Sequence, residues 1–227
     1  MTLPTVVLTG ASAGIGFATL EALESEARVI AVSRTRPASS HANCVWVQGD
    51  LRAPEAIARS IVGLLQSNDE PLDGIIHCAV SYGSDQRHPF VETREAEWDE
   101  LMDVNVRSQF ILTQRLLPLL SRRRQAFIVA LTSDAGTQPA PERIAYGCSK
   151  AASYALFAGL AAELSASSVS VIQMMPAGQV VTRGMRRRRP ADFAFVGYSP
   201  PEIFREPMLR ILRNRGEGLN GACLVVQ

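Results

Sequence analysis

Short apolar runs alternate along the chain with longer stretches in which apolar residues recur every three or four positions. The runs at Thr5 to Leu8, Arg28 to Ser33, Val45 to Gln48, Asp73 to Ala79, Ala126 to Thr132, Val169 to Met175 and Leu219 to Val226 predict seven strands. Between them, Phe17 to Ala27, Ala53 to Gln66, Glu92 to Leu120 and Tyr146 to Ser165 predict helices. Pro54 sits in the first turn of the second, where its missing N–H costs nothing. The third is the longest, with Trp98, Leu101, Met102, Val104, Phe110, Ile111 and Leu116 at roughly helical intervals. Asn105 lies within it; an asparagine inside a helix lowers propensity, so it is either solvent-facing or retained for a polar task. Strand and helix alternate throughout, which implies a parallel, doubly wound α/β sheet with right-handed crossovers. No internal repeat or linker divides the chain, so residues 1–227 are expected to form a single domain.

Composition narrows the setting. The 227 residues are 47% apolar, enough for one well-filled domain, and the net charge of +1 gives no general attraction to nucleic acid or an anionic membrane. Met1-Thr2-Leu3-Pro4 has no basic segment leading into an apolar run, so no signal peptide is expected. The most apolar long stretch, Ala151 to Leu164, is interrupted by Glu163 and is too short to span a bilayer. Cys44, Cys78, Cys148 and Cys223 lie far apart without CxxC spacing, which suits reduced thiols and a cytoplasmic protein.

Three stretches carry candidate chemistry. Gly10-Ala11-Ser12-Ala13-Gly14-Ile15-Gly16 joins the first strand to the first helix. Glycines let such a turn bend tightly and let phosphate oxygens reach the backbone, and the helix start aims free N–H groups at them. This placement predicts dinucleotide binding and a Rossmann-type sheet of about seven strands flanked by helices, against the alternative of a glycine turn without a ligand. The second strand ends in Ser33-Arg34-Thr35-Arg36, where NAD-binding chains usually carry an acid and NADP-binding chains a cation. Ser33 and Arg34 therefore favour NADP(H), the alternative being a solvated loop arginine. Lys150 is the only lysine in the chain and stands four residues after Tyr146, on the same face of a helix. An ammonium beside a phenol favours the phenolate and pulls its pKa down towards the range of a general acid/base. For that pair alone, an exposed tyrosine and a solvated lysine is the competing reading. His77 has no carboxylate or metal-ligand partner at useful spacing and reads as a strand-end histidine satisfied by backbone. Arg122-Arg123-Arg124 reads as a solvated turn, and Ser133 opens a loop containing Gly136, Pro139 and Pro141.

Together these residues resemble the short-chain dehydrogenase/reductase family over essentially the whole chain, in order as well as content. Thr9 to Gly16 looks like the family's TGxxxGIG cofactor loop, implying cofactor contacts from Gly10, Ser12, Ala13, Gly14, Ile15 and Gly16. Asp50 and Leu51 fall where the family contacts adenine, and Cys78 and Ala79 fall in its turn after the fourth strand. Val180 lies where a backbone N–H meets the nicotinamide carboxamide, and Thr182 where a threonine contacts the nicotinamide end. Asn105, Ser133, Tyr146 and Lys150 occupy the four places of the catalytic tetrad.

The resemblance implies an NADP(H)-dependent ketone or aldehyde reductase, or a secondary-alcohol dehydrogenase. Tyr146 would donate the proton, Ser133 would fix the carbonyl oxygen, and Lys150 would lower the phenol pKa and hold the nicotinamide ribose. Asn105 would anchor a water linking Lys150 to solvent. A non-catalytic NADP-binding sensor or scaffold, and a lyase or isomerase on the same scaffold, remain open. Two departures touch the cofactor cleft. The family's NNAG turn appears as His77-Cys78-Ala79-Val80, and its PG pair as Ala177-Gly178 with Pro176 one place earlier. The family places its substrate-covering loop at residues 183–198, where Arg186 to Arg189 suit an anionic substrate or form a solvated charge run. A homodimer or homotetramer is expected, through the helices around Asn105 and Tyr146 to Ser165.

Overall fold

The structure is a computed structural model and describes residues 3–39, 41–84, 87–138 and 140–227, so Met1, Thr2, Ser40, Asp85, Gln86 and Pro139 lie outside it. Seven strands form one parallel sheet: β1 (Thr5–Thr9), β2 (Arg28–Ser33), β3 (Cys44–Gln48), β4 (Gly74–His77), β5 (Ala126–Leu131), β6 (Val169–Pro176) and β7 (Cys223–Val226). Their order is β3-β2-β1-β4-β5-β6-β7. The order reverses between β1 and β4, and crevices beyond the carboxyl ends of strands at such a reversal are where doubly wound sheets bind ligands.

The helices are α1 (Gly14–Leu23), α2 (Pro54–Ser67), α3 (Glu95–Met102), α4 (Ser108–Leu120), α5 (Ile144–Glu163), α6 (Arg183–Arg187) and α7 (Arg205–Asn214). Successive strand residues point to opposite faces, so each strand feeds two cores. Val6, Leu8, Val29 and Ile76 pack on one face with Leu20 and Leu23 of α1 and Met208, Ile211 and Leu212 of α7. Val7, Ile30, Ile75 and Ile128 pack on the other with Ile61 of α2, Leu112 and Leu116 of α4 and Phe157 of α5.

Several expectations shift. The long helix expected from Glu92 starts at Glu95, because Arg94 is extended and Phe90–Glu92 forms a separate tight turn. It continues to Leu120 but widens into a single π-type turn over Asp103–Arg107, centred on Asn105. α6 and α7 were not expected. The Met208, Ile211 and Leu212 stripe of α7 is helical in spacing, but charged neighbours and Pro207 obscure it. β7 is shorter than expected, because residues 216–222 are spent on turns that bring the chain back to the sheet edge.

At the amino ends of the strands, Asp73 is 1% exposed and accepts from the Thr5 backbone N–H at 2.9 Å. Arg123 closes on its Oδ1 at 2.8 Å, so the arginine turn is anchored at its middle residue rather than merely solvated.

Candidate active site

The glycine loop is shaped first by packing. Gly10 has φ +73°, and a Cβ there would sit 2.7 Å from the Ala79 backbone; a Cβ on Gly16 would sit 2.2 Å from the Gly10 carbonyl. These absences let the turn after β1 press against the loop after β4. Ala13 precedes α1 in extended backbone, with no side chain capping the helix, so its first N–H groups stay available. Ser12, Ala13, Gly14 and Ile15 line a groove of about 550 Å³ with Arg34, Asp50, Leu51, Cys78, Ala79 and Thr182. A glycine-walled trough at an uncapped helix start, with a guanidinium at the end of β2, fits a phosphorylated dinucleotide.

Two residues at the adenosine end already have partners. The Ser33 hydroxyl donates to the Thr35 carbonyl at 2.8 Å and accepts from the Trp46 indole at 3.2 Å. Arg34 is exposed and is the freer of the pair expected to meet a 2′-phosphate. Asp50 takes a two-pronged bond from Arg52, at 3.1 Å and 2.6 Å, which holds its carboxyl below the usual range.

Beyond the groove a chamber of about 170 Å³ is lined by Ser133, Tyr146, Lys150, Val180 and Thr182. The side chains of Ser133, Tyr146 and Lys150 thus meet in one place, at the ends of β5 and on the first turns of α5. Tyr146 is 6% exposed, and burial lifts its phenol well above the ordinary range; the neighbouring Tyr82 pushes it further, while Arg143, Ser133 and Arg188 pull it back. Lys150 is 3% exposed, and its Nζ donates to the Leu131 carbonyl at 2.9 Å. Burial lowers its pKa to about 8, opposed by Cys78. The expected depression of the phenol by Lys150 is therefore not found: burial outweighs every nearby charge, and the cations acting on the ring are arginines.

Asn105 is fully buried and lines neither cavity. Its Oδ1 accepts from the Ser81 N–H at 2.8 Å, and its Nδ2 donates to the Ser81 carbonyl at 2.9 Å and to Ser149 Oγ at 3.0 Å. Both amide protons are spent on protein, so the side chain clasps the loop after β4 to α5. That loop is also pinned by Thr9, whose hydroxyl accepts from the Ala79 N–H at 3.3 Å. Ser133 caps the turn at Asp134–Gly136, accepting from Ala135 N–H at 3.2 Å and donating to Asp134 Oδ1 at 2.9 Å.

His77 is 1% exposed, with Nε2 3.0 Å from the Thr113 hydroxyl and its ring on Phe157. Burial drops its pKa to about 3, so it is a neutral core residue, bonded at Nε2 to a side-chain hydroxyl rather than to backbone and without a partner at Nδ1. Burial also pushes the Cys78 thiol up to about 12. Among the described residues no cluster of histidine, cysteine and carboxylates could hold a metal, and no helix is long and apolar enough to cross a membrane.

Two residues of the chamber escape the motifs. Tyr82 stacks on Tyr146 with centroids 5.2 Å apart, and the Arg143 guanidinium hangs 4.5 Å over the Tyr146 ring. Arg143 stands three residues before Tyr146, a spacing that could have flagged it; nothing in the sequence marks Tyr82. The arginine run is not simply solvated either. Arg186, Arg188 and Arg189 lie over Phe195, Tyr82 and Phe193 at 5.0, 4.0 and 5.0 Å. Phe193, Phe195 and Tyr198 meet edge to face, so the loop at 183–198 carries its own small aromatic cluster.

A family model described as short chain dehydrogenase matches residues 4–192. A short chain dehydrogenase of Pseudocercospora fijiensis is 30% identical over 183 residues, covering 76% of this chain and 58% of its own length. Dehydrogenase/reductase SDR family member 7B of Bos taurus is 32% identical over 188 residues, covering 75% of this chain and 56% of its own. The chain thus spans a little over half of each of these two relatives. The crystal structure of a short chain dehydrogenase from Salmonella enterica superposes with a TM-score of 0.87 at 27% identity, over 100% of this chain and 96% of that one. One from Burkholderia cenocepacia in complex with NADP gives 0.84 at 21%, over 99% and 96%, a likeness of fold. With the matched region running from β1 through the glycine loop and α5 into the arginine-rich loop, the chain belongs to the short-chain dehydrogenase family.

Proposed function

We propose that the protein is an NADP(H)-dependent oxidoreductase that interconverts a carbonyl and its alcohol through Tyr146, Ser133 and Lys150, with Asn105 positioning the frame. The observation that carries this reading is the convergence of those three side chains on a chamber that opens beside the glycine-walled groove. Arg34 at the end of β2 supports NADP over NAD, and the NADP complex of the Burkholderia cenocepacia relative is in keeping with it.

Bound NADP(H) would supply or accept the hydride. The protein's part is proton and charge control. Tyr146, neutral at working pH, holds a proton on its phenol oxygen and can give it to an oxygen on which negative charge grows. Ser133, which lines the same chamber as that phenol, can turn its hydroxyl from Asp134 to the same oxygen. Lys150, poised near pH 8, can pass a proton at neutral pH. The stacked Tyr82 keeps water off the ring face. Four unpaired cysteines suit a reducing cytoplasm, and the partly exposed Phe110 of α4 and Tyr154 of α5 suit a self-pairing face in a homodimer or homotetramer.

The test is an NADPH-oxidation screen over diverse ketones and aldehydes with wild type and Tyr146→Phe. Loss of the phenol proton should lower kcat by at least about a thousandfold while NADPH still binds. Wild-type-like turnover in that variant would remove Tyr146 from the mechanism.

A further inference from the structure

We infer that the chamber over Tyr146 takes a substrate carrying a carboxylate, held by Arg143 and Arg189; this rests on the carbonyl–alcohol reading above. Arg143 is half-buried at the start of α5, lies over the rings of Tyr146, at 4.5 Å, and Tyr82, at 5.9 Å, and makes no side-chain hydrogen bond or ion pair among the described residues. It meets no carboxylate. Arg189 lines the same chamber and has a buried Nε–H without any acceptor. Such orphan donors are few, and in a chamber wall this one is open to an acceptor on a ligand.

Among the described residues, no acid at the chamber forms an ion pair with Arg143 or Arg189. Glu97 accepts from the Ser84 N–H at 3.0 Å through Oε1, and its Oε2, which has no hydrogen bond, faces His88 at 3.2 Å. Asp134 takes the Ser133 hydroxyl, and Glu142 is exposed. Two guanidiniums facing one small cavity are suited to a planar anion, since each presents a fork that matches a carboxylate. The chamber, at about 170 Å³, is smaller than the usual range for drug-sized ligands, which points to a short oxo acid or hydroxy acid. Because Arg143 overhangs the ring that bears the phenol, an anion bound there lies within a few bonds of the oxygen that Tyr146 would protonate. The same cation draws the phenol pKa down against burial, so placing an anion on it couples substrate binding to proton retention by Tyr146.

The test uses the full chain with and without NADP⁺ and measures binding of acetoacetate and methyl acetoacetate by calorimetry, which needs no turnover. The acid should bind wild type at least about 30-fold tighter than the ester, as expected for a charge-assisted bidentate contact. Arg143→Gln and Arg189→Gln should each cut that ratio to below about fivefold, and Arg143→Lys should restore part of it. Circular dichroism separates lost recognition from lost folding. Equal binding of acid and ester to wild type, or a preference that survives both substitutions, overturns the inference. A preference that depends on both arginines, in a protein that oxidises no NADPH with any ketone or oxo acid, keeps the anion site and overturns the oxidoreductase reading instead.

Discussion

Asn105 and Ser149, on two different helices, are joined by one hydrogen bond of 3.0 Å, and the Ser149 hydroxyl passes it on to the Tyr146 carbonyl at 2.8 Å. One turn further along, Ser153 donates to Gln109 at 2.6 Å, so the two helices are laced at matching positions. Asn105 also holds both polar backbone groups of Ser81, making it the shared anchor of three segments.

Replacing Asn105 by alanine therefore leaves the Ser81 N–H and carbonyl without partners as well as Ser149. A cost of about 3 kcal/mol is expected, against about 2 kcal/mol for Ser149→Ala, which removes the bond from Asn105 and the bond to the Tyr146 carbonyl but leaves both Ser81 groups paired. Urea denaturation of the two variants checks this; equal losses would mean that the loop after β4 is held by something else.

The Tyr146 phenol should stay protonated beyond about pH 10 in the ligand-free protein, because burial outweighs the flanking arginines. The difference in phenolate absorbance between wild type and Tyr146→Phe should be flat up to that pH. A step near neutrality would show that nearby cations prevail.

His77 makes stability fall in mild acid. Its folded pKa of about 3 lies below the ordinary value of 6.5, so below pH 6.5 the unfolded chain binds a proton that the native state refuses. The contribution is fully present above 6.5 and is lost progressively down to about 3. Between pH 7 and about pH 5, wild type should lose about 2 kcal/mol more than His77→Asn, measured by chemical denaturation. Parallel losses would assign the acid limb to other groups.

Arg123→Ala strands a buried carboxylate, whereas Arg205→Ala breaks an ion pair whose side chains are 42% and 39% exposed. The first should cost about 2–3 kcal/mol, tempered by Arg215 at 3.7 Å from Asp73, and the second less than about 1 kcal/mol. Denaturation midpoints in low and high salt distinguish the two, since only the exposed pair is strongly screened.

The sheet was legible because parallel strands buried on both faces are continuous apolar runs, and because the glycine loop sits where strand gives way to helix. Tyr146, Lys150 and Ser133 were legible as residue types at fixed offsets. What stayed hidden depends on tertiary contact. α7 is amphipathic but interrupted by arginines, so its stripe of Met208, Ile211 and Leu212 is plain only against the sheet. Tyr82 belongs to no periodic pattern and acquires its place by stacking on a residue 64 positions away (146 − 82). The balance of forces on the phenol was hidden too, because burial is a property of the closed chamber and not of the Tyr146–Lys150 spacing.

The π-type turn at Asp103–Arg107 carries an evolutionary constraint. Each residue added to or removed from a helix rotates everything beyond it by about 100°. Here the wide turn offsets two sides of one rod: Leu101 before it packs beside Tyr146, whereas Leu112, Leu116 and Leu120 after it pack on the sheet. Point substitutions on either side alter one neighbourhood each, but deleting a single residue from the turn would swing one set of leucines out to solvent. This segment should accept changes of letter while rejecting changes of length.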